Sequence, residues 1–266
     1  MPDGLRLTVL GSGSCELRRQ RSSPSYLLMA GGNAFLLDMG QGAWRALTRQ
    51  GVSPAMLKGV FLSHHHLDHI GDLLPLLFAL NYDPLMHETA RITLFGHPGL
   101  AKVLEGLAGV FGSWARPPRE NLRTVWLEHG ERSELDGLQI LAGAASHIET
   151  SLAYRLGFGG LSLVYLGDSE YDPSLAELAR GAELVVAHCA ASDERPKPGH
   201  LGPTQAGRLA AEAGAKALLL SHFYREVDPL QAVAAAGKVF DGRVLAAEDG
   251  MCLDLEPAAG AKLHKS

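Results

Sequence analysis

The densest chemistry in the chain lies in His64-His65-His66-Leu67-Asp68-His69, directly after the apolar run KGVFLS. Divalent metal ions need neutral imidazole nitrogens and ionised carboxylate oxygens that converge from different directions. In extended backbone His64 and His66 are two apart and point the same way. Asp68 and His69 then turn into the following helix and can face a second ion. Imidazole with carboxylate and without thiolate favours zinc, manganese or iron over copper(I) or a structural cysteine site. His65, flanked by candidate ligands, points away and is read as a packing or surface residue. The competing reading is a solvated loop with chance histidines, against which the spacing beside a strand end argues.

Such residues need strands to aim them, and the flanking pattern supplies strands. LRLTVL (5–10) reads as a buried strand running into the turn Gly11-Ser12-Gly13-Ser14. SYLLMA (25–30) and AFLLD (34–38) flank Gly31-Gly32-Asn33, a hairpin signature. KGVFLS (58–63), RITLFG (91–96), LQILAGAAS (138–146), LAYRLGF (152–158), LSLVYLG (161–167), AELVVAH (182–188) and KALLLSH (216–222) are further strands. Helical spacing marks 42–51, 72–82, 98–112, 204–215 with Thr204 as its cap, and 229–240. Hairpins beside βα units predict a mixed α/β or α+β fold with a mixed sheet. One domain over 1–256 is expected, with 257–266 as a fraying tail.

A chain of 266 residues can bury a large core without staples. Its three cysteines, Cys15, Cys189 and Cys252, are widely spaced, which suggests neither a disulfide framework nor a thiolate knuckle. The N-terminus lacks a secretory pattern, and no apolar run has the roughly 18 residues a membrane span needs. A soluble, cytoplasmic protein is therefore expected. The formal net charge of −5 offers no global attraction to nucleic acid.

The His-x-His-x-Asp-His pattern resembles the signature of the metallo-β-lactamase superfamily. The resemblance runs from the first strand to about Asp254 and gives other family landmarks a place at strand ends: His147 in Ala-Ser-His, Asp168 in Leu-Gly-Asp-Ser, and His222 in Leu-Ser-His-Phe. It implies a four-layer αββα sandwich holding two divalent ions, with zinc favoured and manganese or iron as alternatives. His64, His66 and His147 would bind one ion, Asp68, His69 and His222 the other, and Asp168 would bridge them. A shared hydroxide would then attack at phosphorus or at a carbonyl, oriented by Asp68.

The opening VLGSGSCELRRQRSSPSYLL and the segment Gly199-His200-Leu201-Gly202-Pro203-Thr204 resemble the ribonuclease Z-like branch. His200 is the implied general acid, stabilising or protonating the leaving group; a helix-capping loop histidine is the alternative. Two departures stand out. Only 20 residues separate His147 from Asp168, so the arm that grips transfer RNA in ribonuclease Z is absent. His188-Cys189-Ala190-Ala191 stands where that branch often has His-Glu-Ala-Thr, so the glutamate that could support His200 is a cysteine.

These departures favour a phosphodiesterase for small or nucleotide phosphodiesters over a transfer RNA 3′-endonuclease. A lactonase, thioesterase or arylsulfatase on the same scaffold is the rival enzyme class, and a binding module without metals the non-enzymatic one. Arg21, Arg116 and Arg119, in two basic segments, are candidate phosphate contacts, with solvated loops as their alternative. Nucleic acid as a partner and a homodimer both remain open.

Overall fold

The computed structural model describes residues 4–256 and 260–264. In chain order the first strands are β1 (Leu5–Gly11), β2 (Ser25–Ala30), β3 (Asn33–Leu37), β4 (Leu57–Phe61), β5 (Ile92–Gly96) and β6 (Leu122–Trp126). Next come β7 (Arg132–Leu135), β8 (Leu138–Ala144), β9 (Leu152–Phe158), β10 (Leu161–Tyr165), β11 (Leu184–His188), β12 (Ala217–Ser221) and β13 (Arg243–Ala246). The last are β14 (Cys252–Glu256) and β15 (Gly260–His264). The helices are α1 (Ala43–Thr48), α2 (Leu67–Ile70), α3 (Leu73–Tyr82), α4 (Pro84–Thr89), α5 (Ala101–Phe111), α6 (Pro173–Leu178), α7 (Pro203–Glu212) and α8 (Pro229–Ala236).

The strands form two sheets, in the orders β15-β14-β1-β2-β3-β4-β5-β6 and β13-β12-β11-β10-β9-β8-β7. Both are mixed. β3 to β6 run parallel, as do β10 to β13, while the remaining pairings are antiparallel. The expected hairpin joins β2 to β3 through Gly31 and Gly32, at φ 56° and 81°. Positive φ at both central positions is the two-residue turn that follows strand twist, and glycine adopts it without a Cβ penalty.

Three layers of apolar contact hold the sheets. Between them lie Leu7, Tyr26, Phe35 and Phe61 from the first sheet and Tyr154, Leu163, Tyr165 and Val186 from the second. Residues of α1, α3 and α4 cover the outer face of the first sheet. Residues of α6, α7 and α8 cover the outer face of the second. Strands covered on both faces read as unbroken apolar runs, and β10, β11 and β12 are buried at every position. The result is the expected four-layer αββα sandwich.

Some boundaries differ from expectation. The helix placed at 204–215 begins at Pro203, with Gly202 as its N-cap; proline fits the first turn, where its missing N–H has no intrahelical partner. Thr204 is not the cap, and its hydroxyl donates to Asp193 Oδ2 at 2.6 Å. Of the segment read as a tail, 257–259 and 265–266 lie outside the described residues, and Gly260–His264 runs antiparallel to β14. Among the described residues no helix is long and apolar enough to cross a membrane.

Phe61 shows how tightly the sheets are joined. Its ring stacks on Phe95 at 4.6 Å between centroids and meets the edge of Tyr154 from the opposite sheet at 5.4 Å. Phe61→Ala should cost about 3–5 kcal/mol through lost burial and the cavity left behind. Chemical denaturation should show this as a lower midpoint with little change in slope.

Candidate metal centre

The C-terminal ends of the parallel strands from both sheets meet at one edge of the sandwich, where ligands of open α/β sheets collect. β4 ends at Phe61 and hands the chain to Ser63–His69. β10 leads to Gly167 and Asp168, β11 ends on His188, and β12 leads to His222. His147 lies on the connection between β8 and β9. Gly167 has φ 61°, and a Cβ there would sit 2.7 Å from that of Ser63. Glycine alone gives Asp168 this approach.

Three ring nitrogens converge on one point. His64 Nε2 and His147 Nε2 lie 2.9 and 3.0 Å from His66 Nδ1. Asp168 Oδ2 completes the group, 3.9 Å from His64 Nε2 and 3.7 Å from His147 Nε2. Burial, then the neighbouring His69, holds the His64 pKa far below its ordinary value, in the neutral form that donates a lone pair.

A second group lies across Asp168. His69 Nε2 is 3.4 Å from Asp168 Oδ2, and His222 Nδ1 is 3.6 Å from Asp168 Oδ1. Asp68 Oδ2 is 3.3 Å from His222 Nε2 and 3.9 Å from His69 Nε2. Burial acts to raise the Asp68 pKa, but the hydrogen bond from His222 and the charge of His69 hold it down at about 2. For Asp168, burial is again outweighed, by His222 and His69, and its pKa sits well below the usual carboxylate range. Both acids are therefore carboxylates at neutral pH.

Donor atoms of His69, Asp168, His188 and His222 also lie within 4.8 Å of one another. Geometry alone would make His188 a ligand, but its hydrogen bonds argue otherwise. Nδ1 donates to Asp168 Oδ1 at 2.8 Å, and Nε2 faces the Tyr26 hydroxyl at 3.1 Å. Burial lowers the His188 pKa to about 4, so the ring is neutral and its one lone pair is turned toward Tyr26. His188 thus orients Asp168.

Asp38 does the same for His69. Its carboxylate is fully buried and accepts from His69 Nδ1 at 2.6 Å, from Ser63 N–H at 2.6 Å, from Ser63 Oγ at 2.7 Å, and from the Tyr165 hydroxyl. The sequence reading missed both orienting residues. Each closes an apolar strand, AFLLD and AELVVAH, and a polar residue at that point was the available sign.

His200 lies beside both groups. Its Nδ1 is 3.7 Å from Asp168 Oδ2, and its ring is 4.7 Å from that of His147. Burial brings its pKa down to about 4. The loop bearing it is fastened through the backbone. Cys189, where the family pattern has glutamate, is fully buried and forms a β-bridge with Leu201. Gly199 accepts from His147 Nδ1 at 2.9 Å and donates its N–H to Glu170 Oε1 at 2.6 Å.

The candidate arginines stand elsewhere. The Arg21 guanidinium is 2.6 Å from both Ser12 Oγ and the Ala247 carbonyl and lies over the Phe223 ring, bracing loops beneath the site. Arg116 and Arg119 lead into the start of β6, which runs parallel to β5 and β4. They are at the opposite end of the strands from His64–His69, so topology separates them from the cluster.

The donor set fits divalent metal. His64, His66 and His147 with Asp168 make one group of donors, and His69, His188 and His222 with Asp168 a second, beside which Asp68 lies 3.3 Å from His222. Buried His69 Nε2, His222 Nδ1 and His200 Nδ1 have no hydrogen-bond partner, which leaves the first two open to a metal and the third open toward the site. Asp38→Asn should weaken metal binding about 10–100-fold, because the ring of His69 exchanges a charged acceptor for a neutral amide, whose NH₂ must also face one of the groups that now donate to Asp38. Competition with a chromogenic chelator measures this, and unchanged affinity would deny Asp38 that role.

Known proteins are similar to this chain in sequence and fold. A model of the β-lactamase superfamily domain matches residues 33–223. Ribonuclease Z of Mycobacterium marinum is 30% identical over 273 aligned positions, covering 90% of this chain and 95% of that protein. The metallo-β-lactamase fold protein YhfI of Bacillus subtilis superposes with a TM-score of 0.84 at 25% identity, covering 95% of this chain and 100% of that one. The short form of human tRNase Z shares the fold, with a TM-score of 0.72 at 20% identity over 93% of this chain and 98% of that one. The family match spans the strand ends that carry the cluster from Asp38 to His222, and the chain belongs to the metallo-β-lactamase superfamily, in its ribonuclease Z-like branch, as a metal-dependent hydrolase.

Proposed function

We propose that this hydrolase is a dinuclear phosphodiesterase acting on a small or nucleotide phosphodiester. His64, His66 and His147 hold one ion, Asp68, His69 and His222 the other, and Asp168 lies between them. The all-imidazole and carboxylate donor set favours zinc, with manganese or iron as alternatives. Such ions supply Lewis acidity and lower the pKa of water. The chain's own groups do the rest. Asp168 and Asp68, ionised at neutral pH, balance part of the metal charge and leave a net positive site for an anionic ester. Asp68 also orients the attacking water.

The observation that carries this reading is His200. It is a largely buried imidazole next to the cluster, 3.7 Å from Asp168, and outside both donor groups. An alkoxide leaving group needs a proton or a hydrogen bond as it departs, and His200 is in reach to give one. Aryl sulfates, which release a phenolate, and thioesters, which release a thiolate, make less demand of that kind. The relatives named Ribonuclease Z favour phosphodiester chemistry as well. Between His147 and Asp168 the chain forms only the β9–β10 hairpin, joined by Gly159 and Gly160. This favours a small substrate over transfer RNA.

Bis(p-nitrophenyl) phosphate or a nucleotide diester should be turned over with a higher kcat/KM than precursor transfer RNA, aryl sulfate or lactone. Efficient, specific cleavage of precursor transfer RNA at the discriminator base would overturn the choice of substrate, and a preference for lactone or sulfate the choice of reaction.

His200→Ala should keep its metal content and slow an alkyl phosphodiester about 10²–10⁴-fold, while slowing the nitrophenyl diester much less, since nitrophenolate needs little help. Equal losses would assign His200 to the phosphoryl oxygens, and lost metal would make it a ligand.

A further inference from the structure

We infer that the cavity adjoining His200 is the leaving-group subsite and is shaped for one neutral nucleoside; this rests on the phosphodiesterase reading. The cavity holds about 430 Å³ and is lined by Glu170, Tyr171, Lys197, His200 and Gln205, among others. His200 belongs both to this lining and to the neighbourhood of Asp168. A group that gives a proton or hydrogen bond to a departing oxygen must touch the fragment that carries this oxygen. The fragment released past His200 therefore enters this cavity. Its volume lies near the low end for small-molecule sites, room for a single unit rather than a stretch of polymer.

The lining selects the chemistry of that unit. Its one cation is already matched, and its one carboxylate is not. Lys197 Nζ pairs with Glu226 at 2.6 Å and lies 3.9 Å from the Tyr224 ring centroid. Glu170 Oε1 accepts the Gly199 N–H. A second phosphate would face the Glu170 carboxylate, which a backbone N–H binds and no ion pair among the described residues neutralises. What remains is hydrogen-bonding capacity suited to hydroxyl and amide groups. Glu170 Oε2 is an open acceptor. Gln205 Oε1 accepts the Gly202 N–H at 3.1 Å, which leaves the amide NH₂ as an open donor. An alkyl chain would strip water from these groups and return nothing.

Tyr171 adds a flat wall. Its hydroxyl donates to Glu212, and the Arg208 guanidinium sits 4.8 Å from its ring centroid, so its plane is held in place. An aromatic wall with an acceptor and a donor beside it suits a base and a ribose.

The test compares two diesters that share one nucleotide, one releasing a nucleoside and the other methanol, together with titration of uridine and adenosine into the metal-free protein followed by NMR. The nucleoside-releasing diester should have the higher kcat/KM by at least tenfold. Tyr171→Ala and, as a milder change, Glu170→Gln should erase most of that ratio through KM and weaken nucleoside binding to the metal-free protein by about tenfold. Turnover of both diesters at equal efficiency, with no nucleoside bound by the metal-free protein, would overturn the subsite and leave the phosphodiesterase reading standing. Turnover of neither diester by the metal-loaded protein would overturn that reading and the subsite together.

Discussion

A carboxylate buried between two sheets is costly unless every lone pair is answered, and Asp38 is answered from both sides. Ser63 and His69 approach from the loop after β4 in the first sheet, and Tyr165 approaches from β10 in the second. Removing water from an ionised acid costs several kcal/mol, so the fold is stable only with all of these donors in place. The sheets are thereby locked in one relative position at the edge where the cluster forms. The backbone accepts a constraint for this: Asp38 has φ 54°, a left-handed conformation rare outside glycine, asparagine and aspartate. His222, at φ 60°, carries the same constraint on the other side of the site. Both residues turn sharply out of a strand so that a polar side chain ends in the interior. Strain of this kind persists where surrounding contacts over-determine the conformation.

The same logic explains what the sequence revealed. Strands covered on both faces leave a strong trace, and LSLVYLG, AELVVAH and KALLLSH were legible as apolar runs that lead into Asp168, His188 and His222. Edge strands leave little trace. β6, β7 and β13 are partly exposed along their length and mix polar with apolar residues, so LRTVW, RSEL and RVLA carry no clean period. Two short helices were also passed over, although α4 and α6 each open on an aspartate cap followed by proline, Asp83-Pro84 and Asp172-Pro173. That signal was present, and the brevity of the helices hid it.

For the site, residue type and spacing reached the groups that face the cluster and stopped at those behind them. His64, His66, Asp68 and His69 stand together in sequence, and His147, Asp168 and His222 followed from family likeness; the structure brings all seven close together, with His66 exposed and His147 half-buried at the open side. Asp38, His188 and Tyr26 act through hydrogen bonds across 31, 20 and 162 positions of sequence, a scale on which no local pattern can report. Arg116 and Arg119 stand apart from the cluster for the opposite reason. A basic segment is easy to see, but which end of a parallel sheet it meets is a property of topology alone.

The absence of a glutamate at Cys189 looked from sequence like a weakened support for His200, and the structure transfers that support to the main chain. The Cys189–Leu201 bridge fixes the loop from beneath, and Gly199 joins it to His147 on one side and Glu170 on the other. A Cβ at Gly199 would sit 2.5 Å from His147 Nδ1, so only glycine lets the loop approach a histidine of the first donor group this closely. The consequence is coupling. His147 is held through the same peptide whose neighbour is His200, so any shift of the loop moves a ring of the cluster and the proposed leaving-group donor together. A side-chain support would have tied His200 to one partner. A backbone support ties the position of His200 to the geometry of the cluster itself.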